Sequence, residues 1–208
     1  GRYVSLDDKA VFDQPCCSSA EEADKKFLPS GTISYKMGGG VIYARYAKGF
    51  KEGGINPVVP PTDFLIGPNT FAPGFKFGPE TVDTYEVGAK GKLLDNKLQY
   101  TLAGFFNRYT NLEFDTTGDA AHQGIIEAIV NAKEAKTYGV EGSIDYRPIP
   151  VLTLGVNAGY LHAVYTKFAF DGTNIGLNSV NYSGQHMLYA PKLQVGITGD
   201  LDQPITDK

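Results

Sequence analysis

The stretch Thr137–Pro148, "TYGVEGSIDYRP", alternates in polarity along its whole length. Thr137, Gly139, Glu141, Ser143, Asp145 and Arg147 share one register, and Tyr138, Val140, Gly142, Ile144 and Tyr146 share the other. Successive side chains of a strand point to opposite faces, so this segment is a ribbon with one hydrated side and one apolar side.

Working outward, the same period of two recurs often enough to predict about eight strands. "GRYVSL" is a short first strand. "TISYKM" sets Ile33, Tyr35 and Met37 against Thr32, Ser34 and Lys36, and Gly38–Gly40 turns the chain into "VIYARYAKGF", a tight glycine hairpin. "TYEVGAKGKL" and "LQYTLAGFFNRY" flank the turn "LDNK", while the opening stretch descends to "RPIP" and "VLTLGVNAGYLHAVY" returns. "KLQVGITGDL" is the last strand. Residues 51–80 contain "NPVVPPTDF" and read as a long loop, because proline removes ladder donors. Residues 110–136 read as a second long connection, its centre "GIIEAIVNA" a short helix or an extra strand, and 167–190 as a third. Short turns therefore lie at one rim and long polar connections at the other, the pattern of an outer-membrane barrel with periplasmic turns and extracellular loops.

Composition agrees. The 208 residues carry 25 Gly, 12% aromatics and 42% apolar residues, which leans towards β structure rich in turns. A net charge of -4 supplies no basic field and argues against a nucleic-acid partner. No run of about 18 apolar residues exists, which excludes a membrane helix and leaves membrane strands of about 10 residues open. Tyr85, Tyr138, Tyr146 and Tyr160 sit towards strand ends in the apolar register, where barrels carry aromatic girdles; cross-strand packing is the alternative reason for them. The adjacent Cys16 and Cys17 do not make a disulfide framework and read as loop thiols or a loop bridge.

Several segments resemble one family, the TonB-dependent outer-membrane receptors. "FLPSGTISYKMGGGVIYARYAKGFKEGGINP" is similar to a Pro-containing strand, a short turn and a strand rising to an outer loop. "GPETVDTYEVGAKGKLLDNKLQYTLAGFFNRYTNLEF", "VNAKEAKTYGVEGSIDYRP" and "YSGQHMLYAPKLQVGITGDL" resemble later strands in the same order, over roughly residues 25–202. The resemblance implies an all-β, antiparallel up-and-down transmembrane β-barrel segment, about eight strands of a 22-stranded barrel filled by a plug domain. It implies location in the bacterial outer membrane. Its partners are membrane lipid, a scarce ligand such as a ferric siderophore, a plug and the TonB system. Residues 1–208 are expected to form a single partial barrel domain without plug, TonB box or terminal aromatic strand, so that transport rests on a larger whole. Two other classes remain open: a β-fragment that self-associates edge to edge into fibres, and a small closed barrel serving as a surface-binding module.

No GxSxG, HExxH, P-loop or dinucleotide fingerprint is present, so the chain is expected to be no enzyme and to need no cofactor or resident metal. Glu141 and Asp145 share a face and read as acids bonding neighbouring strands or a plug. "KGFKEGG" mixes Lys48, Phe50 and Lys51 at the outer rim, which suits an anionic ligand, or its glycines structure the rim. Arg45 and Asn107, near the top of the inner face, and His122 and His186, in or near the outer loops with His162, complete the candidate ligand contacts.

Overall fold

The computed structural model describes residues 2–10, 20–56, 76–119, 125–170 and 179–202. Cys16, Cys17 and His122 lie outside the described residues. The strands are β1 (Arg2–Ala10), β2 (Ala20–Leu28), β3 (Ser30–Met37), β4 (Gly40–Lys51), β5 (Gly54–Ile55), β6 (Lys76–Phe77), β7 (Glu80–Leu93), β8 (Leu98–Asp119), β9 (Ile125–Ile149), β10 (Leu152–Lys167), β11 (Ala169–Phe170), β12 (Val180–Asn181) and β13 (Leu193–Leu201). No helix occurs among the described residues.

Seven strands form one antiparallel sheet in the order β13-β10-β9-β8-β7-β4-β3. Three pairs, β1-β2, β5-β6 and β11-β12, form small sheets of their own. Each strand of the large sheet except β13 pairs with its predecessor or successor through a short turn or a direct return, so the topology is up-and-down. Gly38, at φ 49, makes the β3-β4 turn; Leu94, Asp95 and Asn96, all at positive φ, make the β7-β8 turn; Pro150 and Val151 make the β9-β10 turn. All three lie at one end of the sheet, and neighbouring turns are tied laterally, as where Lys92 N donates to Gly39 O at 2.9 Å and Arg147 N donates to Lys97 O at 2.7 Å.

Local boundaries differ from the sequence reading in four places. The described part of the span 110–136 is strand and not loop: β8 runs to Asp119 and β9 starts at Ile125, so "IIEAIVNA" is the outer part of β9. Polar residues 20–28 are a strand, paired in register with β1 from Arg2↔Leu28 to Ala10↔Ala20. The "RPIP" turn is shorter than predicted, because Arg147–Ile149 stay in β9. The span 167–190 contains the β11-β12 pair. Nor does the sheet close: β3 and β13 are its two edges and do not pair with each other, which removes the small closed barrel.

The register stacks the alternation into rows across the sheet. One row on the apolar face runs Ile33-Ala44-Val87-Gly104-Val140-Tyr160-Leu193, and another runs Tyr35-Ile42-Ala89-Leu102-Gly142-Ala158-Val195. Above them lies Tyr46-Tyr85-Phe106-Tyr138-His162, with ring centroids 5.2 Å apart for Tyr46–Tyr85, 6.4 Å for Tyr85–Phe106 and 4.8 Å for Tyr138–His162. Tyr100 and Tyr146 lie in the rows nearest the short turns. Tyr85, Tyr138 and Tyr146 therefore occupy the two ends of the apolar band, and Tyr160 one row inside it.

Among the described residues no second layer covers this face. Ile197 is 79% exposed, Ile33 75% and Val87 61%. Among the described residues the buried hydrophobics are Val130, Ala135, Ala163, Tyr165 and Phe168, gathered at the long-loop end, where Phe168 packs edge-on against Phe114 at 4.8 Å and Tyr165 at 4.9 Å. A continuous bare apolar face of this extent is untenable in water and belongs in an apolar medium.

Candidate functional site

The opposite face is polar. Near its β3-β4-β7 corner, Thr32, Ser34, Tyr43, Arg45, Glu86 and Lys90 line a hollow of about 700 Å³. Alternation places every one of these side chains on this face, and the register sets Arg45 between Thr32 and Glu86. Gly88, the cross-strand partner of Tyr43, leaves room for the ring to lie over it: a Cβ there would stand 2.6 Å from the Tyr43 hydroxyl. So placed, the hydroxyl donates to Glu86 Oε1 at 2.6 Å. The carboxylate is thereby occupied by a neutral donor, and no ion pair engages Arg45 or Lys90 among the described residues. Two cations thus face the hollow against its one lining carboxylate, Glu86, an excess of positive charge suited to carboxylate or other anionic partners.

Further along the same face, at the long-loop end, Lys51 Nζ lies 2.6 Å from Glu113 Oε2, and Glu113 N donates to Glu80 at 3.1 Å. The Glu113 side chain is only 4% exposed and its Oε1 has no hydrogen-bond partner among the described residues. Bonding to Glu113 raises the Lys51 ammonium above its ordinary pKa, outweighing the opposing effect of burial. Two asparagines fasten the base of the β4–β7 connection to β9. Asn56 donates from Nδ2 to Ile129 O at 2.8 Å and accepts from Ile129 N at 2.7 Å; Asn131 accepts from Gly78 N at 2.6 Å and donates to Gly78 O at 2.7 Å. Each amide pairs with a peptide group as another peptide group would, satisfying both donor and acceptor.

The predicted contacts separate by face. Arg45, Lys51 and Asn107 lie on the polar face, Asn107 donating to Thr137 Oγ1 at 3.0 Å. Lys48 and Phe50 share the face of Tyr46, and Lys48 pairs with Asp83 at 3.4 Å. His186 bridges to Val164 and stands 5.0 Å, ring to ring, from His162 at the aromatic row. Arg45 and Lys51 are thus brought to one face, and Lys48, Phe50 and His186 to the other. The sequence reading missed Tyr43, Glu86, Lys90, Glu113, Asn56 and Asn131 as site residues. Tyr43, Glu86 and Lys90 were findable, because they fall in the polar register of strands already predicted; Asn56, Glu113 and Asn131 were not, because their partners come from 33 to 73 positions away. Among the described residues no group of three His, Cys, Asp or Glu side chains is placed to hold a metal ion.

Residues 1–205 match the family model described as TonB dependent receptor-like, beta-barrel. The chain belongs to that family. It is an outer-membrane β-barrel segment of the kind found in Gram-negative bacteria. Its fold is that of several solved structures. The ferric yersiniabactin uptake receptor FyuA from Yersinia pestis superposes with a TM-score of 0.62 at 19% identity, over 87% of this chain and 24% of the receptor. The siderophore receptor PiuA from Acinetobacter baumannii gives 0.65 at 18% identity, over 95% and 27%. The alcaligin receptor FauA from Bordetella pertussis gives 0.54 at 17%, over 97% and 30%. The chain spans about a quarter of the length of these receptors.

Proposed function

We propose that the chain forms part of the wall and outer-loop base of a receptor that binds a scarce small ligand, such as a ferric siderophore, and imports it with energy delivered through TonB. In this reading the apolar face meets acyl chains and the polar face lines the barrel interior. The observation that carries it is the pair of cations without a salt bridge among the described residues, Arg45 and Lys90, in a polar hollow backed by a bare apolar face. Cations on an inner wall suit the carboxylates of a plug domain or the acidic groups of a metal chelate. Lys51 and Asn107 are the further contacts proposed for the interior, with Lys48, Phe50, His122 and His186 left to the rim and outer loops. The role is transport and not catalysis, and it needs no resident cofactor.

The test is genetic. Deletion of the gene encoding the polypeptide that contains this chain is expected to abolish growth on at least one ferric chelate offered as sole iron source, with Arg45→Gln impairing its rescue. Unchanged growth and unchanged uptake of labelled iron on every chelate would overturn the iron reading. A second reading is favoured by one observation: β3 and β13 each present an edge with no strand paired to it among the described residues, which is the geometry of strand addition. Particles that pellet from detergent-free water and give a cross-strand repeat of about 4.7 Å in diffraction would support that assembly.

A further inference from the structure

Immediately beyond the aromatic row, on the same apolar-parity face, the register builds two charged rows. The first is Lys48-Asp83-Arg108-Lys136-Val164 and the second Phe50-Thr81-Thr110-Glu134-Lys167. They hold four cations, Lys48, Arg108, Lys136 and Lys167, against two carboxylates, Asp83 and Glu134. Asp83 is already engaged by Lys48 at 3.4 Å and by the Tyr46 hydroxyl at 2.7 Å. Glu134 is shared between Lys167 at 2.9 Å and Arg108 at 3.4 Å. No carboxylate pairs with Lys136 among the described residues.

Arg108 and Lys136 are directly opposed across β8 and β9. Like charges in that position repel, and the carboxylate bonded to Arg108, that of Glu134, is also shared with Lys167, so the cluster keeps an excess of positive charge that a further anion offsets. Their height decides which anion. The aromatic row below them marks the level where an apolar band meets headgroups, and the face they share points away from the polar hollow. Below the row lies an apolar hollow of about 640 Å³ in which Gly142 and Ala158 lie low between Leu102, Val140, Ile144 and Tyr160. A ligand with acyl chains below and phosphate above matches both parts.

We propose that Arg108 and Lys136, supported by Lys167, bind the phosphate of a phosphorylated lipid of the outer leaflet on the outside of the barrel wall, its acyl chains lying down the apolar face. The inference rests on the apolar face meeting lipid but not on the interior site or its ligand. Arg supplies a planar fork for phosphate oxygens and Lys a point charge beside it.

The polypeptide that contains this chain, purified in detergent, is titrated with bisphosphorylated lipid A and with its dephosphorylated form, and bound lipid is counted by native mass spectrometry. The double variant Arg108→Gln and Lys136→Gln is expected to weaken binding of the phosphorylated lipid at least tenfold, while Lys36→Gln and Lys92→Gln on the polar face leave it unchanged. The single variant Lys136→Arg keeps binding, and heat-modifiable gel mobility reports folding of every variant. Binding that survives the double variant, or that falls equally with the polar-face control, overturns the proposal. Displacement by millimolar inorganic phosphate, or equal binding of the dephosphorylated lipid, overturns it too, by reducing the site to an adventitious anion or to acyl contact alone. Loss of lipid binding with iron uptake intact would leave the proposal standing independently of the transport reading.

Discussion

Lys51 and Glu113 show how one residue pair can matter more than its neighbours at a rim full of charge. Glu113 is almost wholly shielded and Lys51 is its one ionic partner among the described residues, whereas Asp83 beside Lys48 also accepts from Tyr46. Removing one member of a buried pair leaves a desolvated charge, at a cost of about 3–5 kcal/mol when both are buried. Because Lys51 itself is 65% exposed, Lys51→Met is expected to cost roughly 1–3 kcal/mol, and Lys48→Met under about 1 kcal/mol, by denaturant unfolding in lipid vesicles. The pH dependence follows from the direction of the shift. A lysine raised above its ordinary pKa stabilises the folded state fully below about 10.5 and loses that contribution as pH climbs through the raised value. The stability gap between wild type and Lys51→Met is therefore constant from neutral pH to the ordinary lysine range and shrinks above it. A gap that stayed level beyond it would deny the pair its ionic character. On the polar face, Gly88→Val forces Tyr43 off its glycine and breaks its bond to Glu86, with an expected loss of about 1–3 kcal/mol from overpacking. Gly88→Ser, smaller and polar, is expected to lose less in the same unfolding measurement.

At the scale of elements, the two asparagine clasps decide how firmly the outer connections are held. Asn131 joins β9 to Gly78 through two bonds, and also donates to Asn111 O at 2.9 Å. Asn131→Ala is expected to raise amide exchange in residues 76–80 by about 10- to 100-fold, in line with roughly 1–3 kcal/mol for hydrogen-bonding groups left unpaired. Exchange in the turns at the opposite end is expected not to change, and a global rise would mean that Asn131 supports the whole sheet. The same outer region is where sequence reading ran out. Strands between the two aromatic rows were legible because one face must be apolar: Val140, Ile144, Val156 and Ile197 all fall in the register predicted for them. Beyond the upper row that demand ends. Arg108 and Thr110 replace apolar residues on the same face of β8, so the period of two fades while the ladder continues to Asp119, and the extension looked like a loop. Residues 20–28 were missed for the same reason. Lys48 and Lys51 are close in sequence, three apart, yet an odd separation on a strand sends them to opposite faces.

For the whole molecule, the unusual feature is a sheet whose apolar side has nothing against it among the described residues. A sandwich would have buried that side under a second sheet; here the buried apolar cluster is confined to the long-loop end, around Tyr165 and Phe168. The 25 residues of β9 extend about 80 Å at 3.3 Å per residue, far beyond the roughly 10 needed to cross a bilayer as a tilted strand, so its outer half stands clear of the apolar band. The two open edges of the seven-stranded sheet are where further wall continues a barrel or where another copy adds a strand. The first outcome requires the apolar face to meet acyl chains and the polar face to line the interior. That orientation is tested most directly by nitroxide labels placed one at a time at Val140, Glu141, Ser143, Ile144, Val156 and Asn157 of the polypeptide that contains this chain, reconstituted in bilayers. Collision rates are then compared for lipid-soluble oxygen and a water-soluble nickel chelate. The account predicts that Val140, Ile144 and Val156 favour oxygen while Glu141, Ser143 and Asn157 favour the chelate or are shielded from both. Equal chelate access at both sets, or shielding of the first set from oxygen, would contradict it.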